Sequence, residues 1–375
     1  MTDNPKSNSF LQALRALVRL KPKQKLTGRY LLSLVIAVVL ALLIGAGIML
    51  LCGCNPLDGY AALLKGALGK TRSLGNTLEK TATLALTGLA MCLAAKAGIF
   101  NVGGEGQLLF GAVAAAVVGA NMPGPGWLVI LCAFLSALIA GGAFAYIPGA
   151  LKVHLGVDEV ITTIMFNSAA AFFCSYLATG PLKTTEKGIA VGTAKITVTF
   201  PKLIRLSNLT TGIFISAGIA LLVWYLMNKT TVGFEMKLTG ENDTFARYGG
   251  ISTKKLMIWS MVFSGAICGA VGMLQVFGLQ GRFVTNISDE FYFDGMLVAM
   301  IMRYDPLGTI LMSFFFGILE IGGQSMQSVG VATEVIDIVQ SVIIFFMAAE
   351  GGIRQYFSDR SALRHARALA QKEVQ

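Results

Sequence analysis

Charged side chains are scarce in this chain. Of its 375 residues, only 13% are Asp, Glu, Lys or Arg, whereas 55% are hydrophobic. A soluble domain usually carries about 25% charged residues. This deficit argues against a soluble protein. Together with repeated apolar runs of about 20 residues, each long enough to cross a bilayer, it predicts an all-α polytopic membrane protein.

Residues that build metal sites and disulfide frameworks are also few. The two histidines, His154 and His365, lie far apart, and four of the six cysteines fall inside apolar runs, where they resemble small packing residues: Cys92, Cys132, Cys174 and Cys268. The segment Gly69-Lys70-Thr71 lacks the earlier glycine of a phosphate loop, since Leu64 stands there. We therefore expect no metal, no bound cofactor and no catalytic residue in this chain.

Ten apolar stretches predict about ten transmembrane helices. The stretches at 106–120, 291–302 and 307–323 are short, so some of these helices are expected to be half-helices or re-entrant. The ten predicted spans are residues 30–52, 76–97, 106–120, 127–150, 159–178, 209–228, 256–279, 291–302, 307–323 and 331–349.

Basic residues predict the orientation of these helices. Ten spans place both termini on one side, and the basic segment 1–29 assigns that side to the cytoplasm. We expect a cytoplasmic arm at 1–29, a membrane domain at 30–349 with a cytoplasmic loop at 229–255 and an outer loop at 179–208, and a cytoplasmic tail at 350–375. The net charge of +10 then faces anionic lipid and requires no nucleic acid. The outer loop is basic against this rule, and its alternating segment 195–200 predicts a short strand.

The segment 97–107, AGIFNVGGEGQ, lies between two apolar stretches and contains glycines and polar side chains. Irregular backbone at membrane depth is tolerated where protein buries it or where it lines a water-filled cavity. Ionisable groups there usually serve function. The pattern predicts a broken helix beside a polar path, with Asn101, Glu105 and Gln107 close to it.

Further polar residues lie in other predicted spans. Asp158 precedes a span and suits a helix N-terminus, whereas Asn167, deeper in that span, either lines a polar cavity or makes interhelical hydrogen bonds. Asp294 and Glu320 each need a cavity, a partner or a ligand, unless they reach the interface, because a carboxylate at membrane depth costs about 2.5–3.5 kcal/mol. Four aromatic residues flank the polar segments, where they favour an interfacial belt over ring stacking: Phe100, Tyr176, Phe291 and Tyr292.

The loop at 230–252 is the longest predicted cytoplasmic connection. Residues Glu241 to Tyr248 predict one or two helical turns, which Gly240 and Gly249-Gly250 bracket as helix breakers. Such a helix would present a knob to a cytoplasmic partner. An ordinary polar loop remains the alternative from composition alone.

Four segments together resemble the permease subunits of bacterial ATP-binding cassette importers of the nucleoside type, which are related to permeases for ribose-type sugars and branched-chain amino acids. The segments are AGIFNVGGEGQ at 97–107, VDEVITTIMFN at 157–167, GENDTFARYGGIS at 240–252 and FYFDGMLVAMIMRYDPLG at 291–308. Asp158 departs from the Asn usual in that family. The resemblance covers most of the chain.

The resemblance implies a subunit of the bacterial inner membrane that works by alternating access. Its implied partners are two ATPase subunits or one tandem ATPase, a second identical or similar permease, and a substrate-binding lipoprotein. ATP would be bound by the ATPase partners and not by this chain. The resemblance assigns the segment 101–107 to the translocation path and the segment 240–251 to the ATPase-coupling helix. From the residues themselves we expect the path at Phe100, Asn101, Glu105, Gln107, Asn167 and Asp294. The coupling segment contains Gly240, Glu241, Asn242, Ala246, Arg247, Tyr248 and Gly250.

Three other functions compete with this one. A permease for simple sugars or branched-chain amino acids is the nearest alternative. An ion-coupled secondary transporter also fits a broken helix with buried carboxylates, although the long cytoplasmic loop has no obvious use in such a carrier. A membrane enzyme is disfavoured because no Ser/His or Cys/His grouping is present.

Overall fold

The structure is a computed structural model that describes residues 28–184, 192–288 and 290–346. The described residues divide into two compact units, one formed by 28–44 with 342–346 and the other within 45–341. Most of the predicted basic arm and all of the predicted basic tail lie outside the described residues. All elements of the candidate site belong to the unit at 45–341.

The described chain is helical, with two isolated β-bridges at 183–210. Two five-residue π-helical turns, Leu151–Leu155 and Val276–Gln280, extend α5 and α10, and residues 333–346 are also helical. The twelve named helices are α1 Gly28–Leu51, α2 Pro56–Leu68, α3 Thr71–Lys96, α4 Gly104–Asn121, α5 Gly126–Ala150, α6 Glu159–Thr179, α7 Gly212–Lys229, α8 Thr231–Glu241, α9 Asp243–Tyr248, α10 Thr253–Gln275, α11 Phe291–Ile301 and α12 Pro306–Met326.

Six helices among the described residues are long and apolar enough to cross a membrane, or seven if the bent pair α1–α2 forms one span. The two members of that pair meet at an angle of 120°. Each of the ten predicted stretches coincides with a helix. The count of ten crossings is nevertheless not confirmed, because α11 has only 11 residues and α4 does not meet the criteria for a span.

Close packing of small residues forms the centre of the unit at 45–341. Helices α4, α5 and α10 pack against one another, and α3 packs against α10, α11 and α12. Gly265 and Gly269 on α10 lie at this centre, because a Cβ on Gly265 would approach the Gly141 carbonyl of α5 to 2.6 Å. Glycine at these positions allows the helix backbones to approach closely.

The segment 192–211 contains no regular strand, so the predicted strand at 195–200 is wrong. Its backbone N–H groups donate instead to carbonyls at the ends of helices: Ile196 to Gly281, Thr197 to Gly119 and Phe200 to Phe277, all at 2.9 Å. Because these acceptors lie at two helix ends, that of α4 and that of the π-helical turn after α10, the alternating pattern reflects burial of Ile196 and Phe200 and not pairing with another strand.

Candidate functional site

The break predicted at 97–107 separates α3 from α4. Helix α3 ends at Lys96, α4 begins at Gly104, and residues 97–103 are not helical. Gly98 has φ +80°, a conformation that glycine adopts without steric strain. The break is enclosed by protein, since Asn101 is fully buried. This satisfies the condition for irregular backbone in a membrane helix.

A reciprocal amide pair holds the break in shape. Asn101 Nδ2 donates to Gln107 Oε1 at 2.9 Å, and Gln107 Nε2 donates to Asn101 Oδ1 at 3.0 Å. Asn101 also donates to Ser264 Oγ on α10 at 2.9 Å and accepts from the Gly103 N–H at 3.0 Å. All four hydrogen-bonding positions of Asn101 are therefore used within the protein in this conformation.

Asn167 on α6 binds both sides of the same break. Its Nδ2 donates to the Val102 carbonyl, and its Oδ1 accepts from the Gly106 N–H, each at 2.9 Å. The sequence left open whether this residue lines a cavity or makes interhelical hydrogen bonds. The structure shows the hydrogen bonds, while Asp158 caps α6 as predicted by accepting from Val160 and Ile161.

Tyr292 at the start of α11 closes the other side of the break. Its N–H donates to Glu105 Oε1 at 2.9 Å, and its hydroxyl donates to the Asn101 carbonyl. The ring lies directly over Gly104, where a Cβ would overlap it. Glu105 Oε2 is buried without a hydrogen bond. The predicted belt position is wrong for Tyr292, which is fully buried because α11 packs inward against α3.

The remaining predicted path residues flank this network. Phe100 is half-buried and packs against the main apolar core. Asp294 is half-buried in the first turn of α11, two residues after Tyr292, where a carboxylate complements the helix dipole. The structure therefore joins Asn101, Gln107 and, through Tyr292, Glu105 in one network, with Asn167 on the opposite side of the same backbone.

An ion pair between a buried lysine and a half-buried glutamate lies next to the network and was not predicted as a pair. Lys80 on α3 binds Glu320 on α12, and its ammonium lies 4.0 Å from the centroid of the Phe291 ring. Phe291 directly precedes Tyr292, and its carbonyl accepts from Thr87 Oγ1 at 3.1 Å. Phe291 is buried, so its predicted belt position is also wrong. The sequence signal was one charge of each sign inside two separate apolar stretches.

Helices α8 and α9 form the segment predicted to bind a partner. Glu241 ends α8, Asn242 caps α9 by accepting from the Phe245 N–H at 3.0 Å, and Arg247 pairs with Asp243 at 2.6 Å. Tyr248 is 89% exposed and Phe245 61% exposed, so two aromatic side chains project from α9. Phe245 was not selected from the sequence.

Two predictions about this segment are corrected. Ala246 is fully buried, so in this conformation it contacts its own chain and not a partner. Gly240 lies inside α8 and does not break it, because the chain turns at Asn242. Gly250 has φ +84° and open space around its Cα, as expected for a residue that ends a helical segment.

A contact between two glycines joins α8 to the helix break. A Cβ on Gly240 would lie 2.5 Å from the Lys96 carbonyl oxygen and 3.1 Å from Gly98 N, and a Cβ on Gly98 would lie 3.2 Å from Gly240 Cα.

Lys237, one turn earlier on α8, faces the same region. Partial burial of its ammonium, and next the positive charge of Lys96, lower the pKa of Lys237.

No group of three or more His, Cys, Asp or Glu side chains in the part of the chain that the structure describes is arranged to hold a metal ion. The network consists of amides, hydroxyls, one carboxyl and backbone groups. Such groups bind neutral polar solutes through hydrogen bonds and need neither a metal nor a nucleophile.

Comparison with known proteins places this arrangement in context. The family described as "Branched-chain amino acid transport system / permease component" matches residues 73–348. That range contains the break, the ion pair and α8–α9. No solved structure matches the chain.

Three relatives match over most of their length. The guanosine ABC transporter permease protein NupP of Bacillus subtilis is 35% identical over 87% of this chain and 95% of its own length. The nucleoside ABC transporter permease protein NupB of Lactococcus lactis is 34% identical over 92% of this chain and 98% of its own length. The glucose ABC transporter permease protein TsgB13 of Haloferax volcanii is 29% identical over 86% of this chain and 88% of its own length.

Proposed function

This chain belongs to the permease-component family of branched-chain amino acid transport systems, and from that membership we propose that it forms the path for nucleosides through an ATP-binding cassette importer. It is a transport component and not an enzyme. The main evidence for nucleosides as the substrate is the near full-length match to two relatives named for guanosine and nucleosides.

A sugar permease is the second candidate, since a relative named for glucose also matches most of the chain. A nucleoside contains a sugar ring, so the two substrates share hydroxyl groups and differ in the base. Stacking surfaces beside the path distinguish them, because a base offers an aromatic face and glucose does not. Phe100, half-buried next to Asn101, is our candidate for that contact.

We place the substrate path along the helix break, at Phe100, Asn101, Glu105, Gln107, Asn167 and Asp294. In the present conformation the amides of Asn101 and Gln107 satisfy each other. During alternating access the same groups exchange these internal hydrogen bonds for bonds to a substrate. A substrate shifts such an equilibrium only by its differential affinity for the two conformations, which the exchange of hydrogen bonds supplies.

Coupling to ATP hydrolysis takes place through α8 and α9. Tyr248 and Phe245 form an exposed aromatic knob that inserts into a groove of an ATPase subunit. Displacement of α9 moves α8, and Gly240 transmits it to Gly98 through their backbone contact. The break around Asn101 lies three residues further along the chain. The ATPase-coupling set is therefore Gly240, Glu241, Asn242, Arg247, Tyr248 and Gly250, with Phe245 added and Ala246 acting as internal packing.

The assembly that this function requires contains two ATPase subunits or one tandem ATPase, a second identical or similar permease, and a substrate-binding lipoprotein. ATP is bound by the ATPases. The chain is a multi-pass protein of the bacterial inner membrane. We propose ten crossings, with both termini and the α8–α9 segment in the cytoplasm.

The proposal is tested by uptake of labelled guanosine in cells with and without the gene for this chain. We expect uptake to be lost in the deletion, to be restored by the wild-type gene, and to be inhibited by excess unlabelled nucleosides. A protonophore that leaves ATP levels intact should not abolish it.

Two outcomes would contradict the proposal in different ways. Unchanged guanosine uptake in the deletion strain, with loss of glucose or branched-chain amino acid uptake, would transfer the chain to the second candidate class. Collapse of uptake with the protonophore at constant ATP would identify an ion-coupled carrier.

A further inference from the structure

An apolar groove runs between α5, α7 and α10 on the surface of the unit at 45–341. Its volume is about 640 Å³, and its wall is formed almost entirely by carbon atoms. Its lining includes Phe134, Ala143 and Tyr146 of α5, Leu222 and Leu226 of α7, and Trp259 of α10. These three helices are all candidate membrane spans. The groove therefore opens within the thickness of the membrane and not toward water.

The groove is separate from the polar path. None of Asn101, Glu105, Gln107, Asn167 or Asp294 lines it. A polar nucleoside or sugar would lose its hydrogen bonds to water there and gain no partner, which is unfavourable. A lipid acyl chain loses nothing by entering it, because the groove wall is as apolar as the bilayer that the chain leaves.

Two lysines mark one end of the groove. Lys255 lies four residues before Trp259 on α10, and Lys229 lies three residues after Leu226 on α7, so each stands one helical turn beyond the lining on the same helix face. Both are exposed, and no acidic side chain among residues 28–184, 192–288 and 290–346 forms an ion pair with either. Because α8 and α9 connect the two helices, both lysines are at the same membrane face.

Aromatic rings occupy the level between the lysines and the hydrocarbon wall. Trp259 is 56% exposed and Tyr146 51% exposed, and the Trp259 ring packs against Phe263 with centroids 5.9 Å apart. Trp and Tyr prefer the level of the lipid headgroups, where an apolar ring has one polar edge. The order from wall to rim is thus carbon, aromatic ring and ammonium, which matches the order of acyl chain, glycerol region and phosphate in a phospholipid.

We propose that this groove is a binding site for an anionic phospholipid of the membrane leaflet on the α8–α9 side. One acyl chain lies between α5, α7 and α10, and Lys229 and Lys255 contact the phosphate and the anionic headgroup. Basic clusters between transmembrane helices are known to select anionic lipids in this way. The site adjoins the end of α7 and the start of α10, which are the two ends of the α8–α9 segment with the proposed coupling helix. A bound lipid would therefore contact both of these helix ends.

The test measures lipids retained by the full-length permease purified with its partner subunits. The complex is taken from vesicles of equal parts phosphatidylglycerol and phosphatidylethanolamine, and native mass spectrometry counts the bound molecules of each. We expect phosphatidylglycerol to be retained in preference. Lys229→Gln and Lys255→Gln should each lower that preference about fivefold, since a lysine near a headgroup contributes about 1 kcal/mol.

Two further variants separate the headgroup contact from the acyl contact. Lys254→Gln is the matched control, because Lys254 is exposed but points away from the groove side of α10; it should retain the wild-type preference. Ala143→Trp fills the groove from an exposed position and should lower retention of both lipids. Thermal unfolding of each variant confirms that it is folded.

Three results would overturn the proposal. The first is an equal effect of Lys254→Gln and Lys255→Gln, which indicates general surface charge. The second is unchanged lipid retention in both Ala143→Trp and the Lys229→Gln/Lys255→Gln double variant. The third is loss of permease–permease association in Ala143→Trp with normal lipid retention, which would identify the groove as a subunit interface. Loss of nucleoside uptake does not enter this test, so it stands apart from the proposed function.

Discussion

At the scale of single residues, the amide pair Asn101–Gln107 holds the helix break on which we place the substrate path. Each side chain satisfies the other in a fully buried setting. Removing one amide leaves the other with unpaired polar atoms, and a buried unsatisfied group costs about 1–3 kcal/mol. In the proposed mechanism the same amide atoms hold the break in this conformation and bind substrate in another.

We expect Gln107→Leu to lower the unfolding free energy of the permease by about 1–3 kcal/mol, because Asn101 loses both bonds to the Gln107 amide. Uptake should fall further than the protein level in the membrane does. Thermal unfolding followed by tryptophan fluorescence and uptake per permease measure the two effects. The control is Asn121→Ala at the exposed end of α4, where the amide bonds only the Val117 carbonyl. If Gln107→Leu behaves like the wild type in both measurements, the amide network is not part of the substrate path.

The ion pair between Lys80 and Glu320 gives a second prediction at this scale. Lys80→Met and Glu320→Leu each remove one half of this pair. The loss should stay below the value of about 3–5 kcal/mol for a fully buried pair, because the Glu320 side chain is 31% exposed. The double variant should recover most of that loss, since two apolar side chains replace two charges. Thermal unfolding of the three proteins measures the coupling. Additive losses in the double variant would show that the pair does not act as a unit.

At the scale of elements, α8 connects α9 with the helix break. The face of α8 that carries Gly233, Met236 and Thr239 is buried, and Gly240 follows at its end against Lys96 and Gly98. Backbone lies against backbone at this point, so no side chain can yield when α8 moves. In the proposed coupling, a displacement of α8 would therefore reach Gly98 through direct backbone contact.

We expect Gly240→Ala to uncouple ATP hydrolysis from transport, because the new methyl group would press on the Lys96 carbonyl at 2.5 Å and separate α8 from Gly98. The number of nucleosides taken up per ATP hydrolysed should fall about fivefold or more, because typical coupling energies between two sites correspond to factors of that size. Co-purification of the ATPase should be retained. Transport and hydrolysis are measured together in proteoliposomes with the binding protein present.

Two comparisons define the meaning of this result. Gly218→Ala on α7 is the matched control, because nothing lies within 4 Å of a Cβ there, and it should transport normally. Tyr248→Ala removes the exposed ring of the knob and should reduce ATPase co-purification instead. Normal coupling in Gly240→Ala would exclude the glycine contact as the route.

At the scale of the whole molecule, the number and direction of crossings determine which groups meet the cytoplasm. Six or seven of the described helices qualify as spans by length and composition. Ten crossings require that α4, α11 and the helix at 333–346 also count. Burial supports a central place for α4, whose residues from Gly104 to Leu109 are all buried.

We expect reporter fusions to give ten crossings with both termini in the cytoplasm. Green fluorescent protein fused after Gln375 should fluoresce, since it folds in the cytoplasm and not after export. Alkaline phosphatase fused after Ser207 should be active and after Lys229 inactive, because the outer and inner loops flank α7. Activity after Lys229 would reverse the orientation and remove the cytoplasmic role of α9.

Much of the candidate site was predictable because it depends on local chemistry. Glycines and polar residues inside an apolar run predicted the break at 97–103, and Asp158 predicted the start of α6. The pairing of Lys80 with Glu320 was not predictable, because the residues are 240 positions apart and only the packing of α3 on α12 brings them together. The interfacial position assigned to Tyr292 failed for the same reason.

The sequence by itself determined where the long apolar helices lie, where the break at 97–103 interrupts them, and which polar residues are confined among them. These properties depend on neighbours within one or two turns, through caps, glycine and side-chain periodicity. Only the tertiary structure decided that Asn101 and Gln107 satisfy each other and bind Ser264, that Ala246 faces inward while Phe245 faces outward, and that Gly240 meets Gly98. Those outcomes depend on which helix faces another, and a single apolar helix in a membrane carries little information about that, because lipid and protein neighbours are equally apolar.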